Sequence, residues 1–205
     1  MGNKIKRVIV VSVMLMAASA SLLAQRGGKA DHRDVAKELD VWVSKTEEHL
    51  VPAADAMPAE KYDFAPTDGK FDGVRTFAEQ VKHLAATNYI VASAVLGEKP
   101  PHGERNEVPP ASLKSKAEIM EYLKGSFTLL HRAAASITNS NQTRTIGADR
   151  NAGWLAATYG SEAPGAFVDR TRPGLIVDAL CHSWDHYGQI VEYLRMNGIV
   201  PPASR

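Results

Sequence analysis

The stretch CHSWDHYGQIVEYLRMNGIVPP, residues 181–202, decides the fold of this chain. His182 and His186 lie four positions apart, and on a helix of 3.6 residues per turn this spacing places both imidazoles on one face. The pattern indicates a helix that begins around Pro173, where proline suits the first turn, and ends at Gly198. This last helix carries two potential ligands for one metal ion.

Three further amphipathic segments precede it. Apolar residues recur at intervals of three and four in a first helix from Asp31 to about Ala56, a second from about Val74 to Leu96, and a third that starts near Ser115. Gly97 is the expected stop of the second helix, and Glu118 would complete a capping box with Ser115. No segment has a convincing strand pattern. The predicted fold is therefore all-α, a four-helix bundle with long inter-helix connections.

The segment from Asn139 to Arg172 has no sustained hydrophobic pattern. Such a long connection is unusual in a compact domain, so the segment is a candidate lid or contains short structure. An open coordination position beneath a pocket lined by Trp154 or Tyr159 would favour catalysis over a purely structural role.

The N-terminus has the composition of a secretory signal peptide. Lys4, Lys6 and Arg7 precede an apolar run at residues 8–18, which is short of the roughly 20 residues that a membrane-spanning helix needs. Residues 1–24 are the predicted signal peptide, with cleavage after Ala24 or, as an alternative, at the Ala18-Ser19-Ala20 pattern. Residues 25–30 would be a linker and residues 31–202 the bundle domain. The mature protein would then be periplasmic or secreted, without a stable membrane anchor.

Composition narrows the remaining classes. The chain has 205 residues and a formal net charge of +1, which favours a single globular domain and disfavours a nucleic-acid partner. Cys181 is the only cysteine, so no internal disulfide can form. Its side chain would point about 100° away from His182, and we predict a small core residue rather than a ligand.

His83, in TFAEQVKHLAATNY of the second helix, is the best-placed third ligand. Helical positions put His83, and also His182 and His186, beside the apolar stripes of their helices, so that the two flanks could meet in a groove at the bundle surface. Three protein nitrogens leave a coordination position for water or substrate. His49, which shares a face of the first helix with Trp42, is a reserve ligand.

Four polar residues near these histidines are candidates for supporting roles. Gln80 and Gln189 lie on the histidine rows and could orient ligands or substrate. Asp185 and Glu79 are candidate proton acceptors, although a surface carboxylate is the more ordinary role for each.

Two other metal-site classes do not fit the pattern. A metalloprotease of the HExxH type needs a glutamate after its first histidine, and this chain has Ser183 there. A covalently attached haem needs a CxxCH motif, which the sequence lacks.

Together, MPAEKYDFAPT, TFAEQVKHLAATNY and the final histidine segment resemble the DinB family of DinB/YfiT-like metalloenzymes. The resemblance extends over nearly all of the mature chain, from about Asp31 to Pro202. It implies a four-helix bundle with a divalent metal, commonly zinc, nickel or iron, held by His83, His182 and His186. Relatives include thiol-dependent transferases and isomerases, but an oxidising compartment would deplete a thiol cofactor.

The leading hypothesis is an exported metal-dependent hydrolase or transferase that acts on a small-molecule substrate. The alternative is a non-catalytic bundle in which the ion pins two helices together, sequesters metal or helps to recognise a partner. A site that binds no metal remains a third hypothesis. The sequence is also compatible with a homodimer of two bundles.

Overall fold

The computed structural model of the protein describes residues 34–148 and 169–205, and these ranges contain four α-helices and no strand beyond isolated β-bridges. The helices are α1 (Val35–Ala56), α2 (Phe77–Leu96), α3 (Lys116–Ala135) and α4 (Arg172–Met196). Short 3-10 turns lie at Ala59–Lys61, Ile146–Ala148 and Pro202–Ser204. The prediction of an all-α four-helix fold is confirmed. The predicted signal peptide, the linker and most of the candidate lid, with Trp154 and Tyr159, lie outside the described residues.

Side-chain caps set the helix ends. The hydroxyl of Ser115 accepts a hydrogen bond from the backbone N–H of Glu118, whose carboxylate accepts one from the N–H of Ser115, so the predicted capping box is confirmed. Thr76 and Glu79 form an equivalent capping box at the start of α2. The helix begins at Phe77, three residues later than the periodicity predicted. Gly97 ends α2 with a φ of 73°, as predicted.

The segment between α1 and α2 holds the beginning of α2 in place. The N–H groups of Phe77 and Ala78 donate to the carbonyls of Phe64 and Tyr62, each at 2.8 Å. The hydroxyl of Tyr62 in turn donates to the carbonyl of Ala54 in α1 at 2.8 Å. The first N–H groups of a helix have no partner within the helix, and here the preceding loop supplies one for two of them. The register of α2 relative to α1 is thereby determined.

Of the four helices, α2 is the most buried. α1 and α2 each pack against both α3 and α4. Of the 20 residues of α2, all except Glu79, Lys82 and Leu96 are buried. A helix buried on nearly all sides has no separate polar face, so its polar residues lie in the interior.

Some surface assignments made from periodicity are wrong. Val35 and Trp42 belong to the apolar repeat that predicts the first helix, yet they are 38% and 48% exposed, because the buried stripe of α1 runs instead through Leu39, Val43 and Leu50. Cys181 is exposed rather than a core residue. In the described ranges, no helix has both the length and the apolar character that crossing a bilayer requires.

His131 links α3 to α1 through two carboxylates. Its Nδ1 lies 2.5 Å from an Asp40 oxygen, and its Nε2 lies 3.1 Å from a Glu47 oxygen. Burial of the ring lowers its pKa, but hydrogen bonding to the two carboxylates and their charges outweigh this effect and raise it. Only the imidazolium can donate from both nitrogens, so the contact favours the charged form.

We expect this link to stabilise the fold most at acidic pH. Because the folded-state pKa is raised above the unfolded value of about 6.5, the contribution is complete below that value and is lost as pH rises through the folded pKa. Replacing His131 by Gln should therefore lower the free energy of unfolding, measured by denaturant titration, more at about pH 6 than at about pH 9. In an Asp40→Asn, Glu47→Gln background the His131→Gln deficit should not change with pH in this way. An equal loss at both pH values in the wild-type background would contradict the expectation.

Candidate metal centre

Three imidazole rings from two helices converge on one point. The Nε2 atom of His182 lies 3.1 Å from the Nε2 atom of His83 and 3.1 Å from that of His186. Potential ligand atoms of all three rings lie within 4.8 Å of one another. The structure therefore brings together the three histidines that the sequence singled out, across 99 positions of chain between His83 and His182.

The histidines are more buried than their flanking positions suggested. His83 and His186 are 6% and 5% exposed, and only His182 is intermediate. Two of the three rings therefore lie largely in the interior rather than beside the apolar stripes of their helices. His186 lies in the buried stripe of α4 with Ser183 and Ile190, because α4 packs against both α1 and α2 and its buried face is correspondingly wide.

Buried polar side chains hold α4 against α2 beside the site. Ser183, which is fully buried, donates to the side-chain carbonyl of Asn88 at 3.5 Å, and Asn88 donates to Ser126 of α3 at 3.3 Å. The position that would carry the glutamate of a protease motif therefore faces the core and not the three rings. This geometry agrees with the exclusion of that class from the sequence.

A chain of hydrogen bonds fixes the orientation of His186. The carboxylate of Asp185 accepts from Nε2 of Gln189 at 3.2 Å, Oε1 of Gln189 accepts from Nε2 of Gln80 at 2.8 Å, and Oε1 of Gln80 lies 2.6 Å from Nδ1 of His186. A carboxylate can only accept, so it sets the direction of both amides. The oxygen of Gln80 must then accept from His186, which places the proton on Nδ1 and leaves a lone pair on Nε2.

The nitrogen cluster fits a cation. A neutral ring has one N–H, so two contacts at a single His182 nitrogen cannot both be ordinary hydrogen bonds. Nitrogens bound to one zinc ion at about 2.0–2.1 Å in tetrahedral geometry would lie about 3.3 Å apart, close to the 3.1 Å seen here. Nδ1 of His182 is buried without a hydrogen-bond partner in the described part of the chain, so no protein contact at Nδ1 there determines which nitrogen of the ring carries the proton. A divalent ion would satisfy all three facing nitrogens.

Electrostatics keep the three rings neutral. Burial lowers the pKa of His83 and His182, and it lowers that of His186, together with the neighbouring rings, to about 4. The Arg75 guanidinium adds to the effect at all three rings. A metal ligand must be the neutral imidazole, so lone pairs are available at neutral pH without displacing a proton.

A cavity of about 470 Å³ opens on the His83 side of the cluster, within the size range of small-molecule sites. Its wall includes Arg75, Lys82 and the loop of Glu107. One oxygen of Glu107 lies 3.5 Å from Nε2 of His83. The site is therefore enclosed by protein on the Gln80 side and accessible from the cavity.

A family model described as the DinB superfamily matches residues 43–190, more than two thirds of the chain, and the match includes all three histidines. The chain belongs to the DinB superfamily. No curated protein is similar enough to count as a match. The family resemblance found in the sequence is thus confirmed, and this DinB bundle has a three-histidine cluster that could bind a metal ion.

The other sequence candidates lie elsewhere or have structural contacts. His49 packs against Trp184 and Tyr187, with ring centroids 5.1 and 5.8 Å away, and is not part of the cluster that could hold metal in the described ranges. Glu79 caps α2. Sequence reasoning missed Glu107, which lies in a loop without periodicity. It also missed the hydrogen bond from Gln189 to Asp185, which orients the amide of Gln189.

We expect Gln80 to tune metal affinity through His186. A Gln80→Leu variant leaves Nδ1 of His186 without its acceptor, and loss of such a ligand-orienting contact typically weakens metal affinity about 10–100-fold. Competition with a chromophoric chelator measures the affinity. Gln189→Leu, one step further from the ring, should cause a smaller loss. The assignment fails if Gln80→Leu binds zinc as tightly as the wild type.

Proposed function

We propose that the protein is a metal-dependent hydrolase or transferase that acts on a small-molecule substrate, with zinc, nickel or iron held by His83, His182 and His186. The observation that carries the proposal is the convergence of three neutral imidazole nitrogens beside a cavity. Imidazole ligands suit several transition metals, so the donor set is compatible with each of these ions.

The ion and the surrounding residues would have different roles in such a site. A divalent ion with three imidazole ligands offers Lewis-acid chemistry at an open coordination position, where it lowers the pKa of water or of a thiol. Gln80 holds the His186 ring in one tautomer and orientation. The buried contacts of Asn88 and Ser183 fill the core side of the site, so substrate would reach it from the cavity.

The rival is a bundle that binds metal without turnover. A structural zinc site normally has four protein ligands, whereas the cluster found among residues 34–148 and 169–205 supplies three. The open side beside a cavity of about 470 Å³ favours catalysis over a purely structural ion.

Removing one ligand tests the metal site, and a substrate screen distinguishes catalysis from metal binding without turnover. His186→Ala should lose most of its bound metal after dialysis, measured by elemental analysis, while His49→Ala, a histidine outside the cluster, should keep it. A screen of hydrolase and thiol-transfer substrates should detect turnover that a chelator abolishes and that zinc, nickel or iron restores. Unchanged metal content in His186→Ala would remove the ligand assignment, and metal binding without turnover would favour the rival.

We also propose that the protein works outside the cytoplasm. The proposal rests on the basic residues and the apolar run at residues 8–18 in the sequence. Expression of the full chain in a bacterial host should give a processed protein in the periplasmic fraction whose N-terminus, read by mass spectrometry, is Gln25. Deletion of residues 8–18 should keep the protein in the cytoplasm. An unprocessed chain in the cytoplasm of the wild-type strain would contradict export.

A further inference from the structure

The cavity beside the three histidines has an unusual distribution of charge. Three cationic side chains line it, those of Arg75, Lys82 and Lys114, against the two carboxylates of Glu79 and Glu107. None of the three cationic groups forms a side-chain ion pair or hydrogen bond with any other residue that the structure describes. Glu79, in contrast, is already engaged with the N–H of Thr76 at 2.8 Å.

A contact from α4 holds the backbone of Arg75 at the edge of the cavity. Its backbone carbonyl accepts a hydrogen bond from the hydroxyl of Tyr193 in α4 at 3.0 Å, directly before the cap of α2. Its side chain lines the same cavity as His83. A guanidinium offers a planar fork of donors that matches a carboxylate.

Glu107 shows which chemical group the mouth of the site accommodates. Its carboxylate lies 3.5 Å from Nε2 of His83, yet its side chain is 47% exposed. The backbone holds it there in a tight turn, in which the N–H of Val108 donates to the carbonyl of Arg105 at 2.8 Å and both central residues, Asn106 and Glu107, have positive φ values of 49° and 61°. Asn tolerates this conformation, but a Glu does so at a cost, which is typical of residues placed for function.

We propose that this cavity binds a small organic acid, with the substrate carboxylate held by Arg75 and Lys82 and with Glu107 as an internal carboxylate that competes for the same cationic environment. The proposal rests on the proposed function, because it names the substrate class of that site. A divalent ion at the histidines would add to the positive charge of the cavity and would disfavour a cationic substrate. The cavity volume of about 470 Å³ suits a metabolite-sized acid.

Calorimetric titration of the zinc-loaded protein with succinate tests this inference, with succinamide as an uncharged ligand of similar size. Succinate should bind and succinamide should not. Arg75→Gln should weaken succinate binding at least about tenfold, because a charge-assisted hydrogen bond is lost. Glu107→Gln should tighten it, by about threefold, because a competing like charge is removed.

Matched variants control for general changes in charge. Arg195→Gln removes a surface guanidinium that pairs with Glu192, and Glu192→Gln removes the carboxylate of the same pair; neither residue lines the cavity. Neither should change succinate affinity as much as its counterpart at the mouth of the site.

Two outcomes would overturn the inference. One is equal binding of succinate and succinamide, and the other is an Arg75→Gln variant with wild-type affinity for succinate. Zinc content is measured on every sample. If zinc binds and the chelator-sensitive turnover is present while succinate fails, the substrate class is wrong and the proposed function stands; absent zinc identifies failure of the metal site itself.

Discussion

The direction of one hydrogen-bond chain underlies the site. It begins at a carboxylate that can only accept, Asp185, and passes through two amides to the ring of His186. Each amide is oriented by the group before it, so the chain ends in a ring that donates from Nδ1 and presents a lone pair at Nε2. The chain also crosses from α4 to α2 between Gln189 and Gln80. The same contacts therefore join two helices and prepare a ligand.

The burial of this polar cluster has an energetic consequence. A buried polar group left without a partner costs about 1–3 kcal/mol, a large fraction of the stability of a typical domain. Gln80 and His186 meet this requirement with each other, and Asn88 meets it with Ser126 and Ser183. Nδ1 of His182 is the exception in this region of the described chain, and the two short contacts at its Nε2 cannot both be ordinary hydrogen bonds. This imbalance lies in the cluster whose donor chemistry fits a metal ion.

The mouth of the site contrasts with its interior. Behind the rings, apolar residues and neutral hydrogen bonds dominate, and burial keeps the imidazoles uncharged. In front of them, charged side chains line the cavity, and the backbone of Glu107 adopts a conformation that few residues other than glycine prefer. A rigid interior with a charged and locally strained entrance is the arrangement expected where ligands enter and leave.

Sequence alone determined the helical class, the capping box of α3, the glycine stop of α2, the family and the three histidines, because each depends on local spacing or on a short motif. The spacing of His182 and His186 requires only a helix, and the pairing of Ser115 with Glu118 spans three residues. Burial of His83 and His186, exposure of Trp42 and Cys181, and the approach of Glu107 were decided by tertiary structure. These properties depend on how completely the rest of the fold encloses each position: α2 is buried on nearly every side, and α4 packs mainly against α1 and α2. The hydrophobic periodicity of one helix does not show which other helices pack against it, and a loop such as that of Glu107 has no periodicity at all.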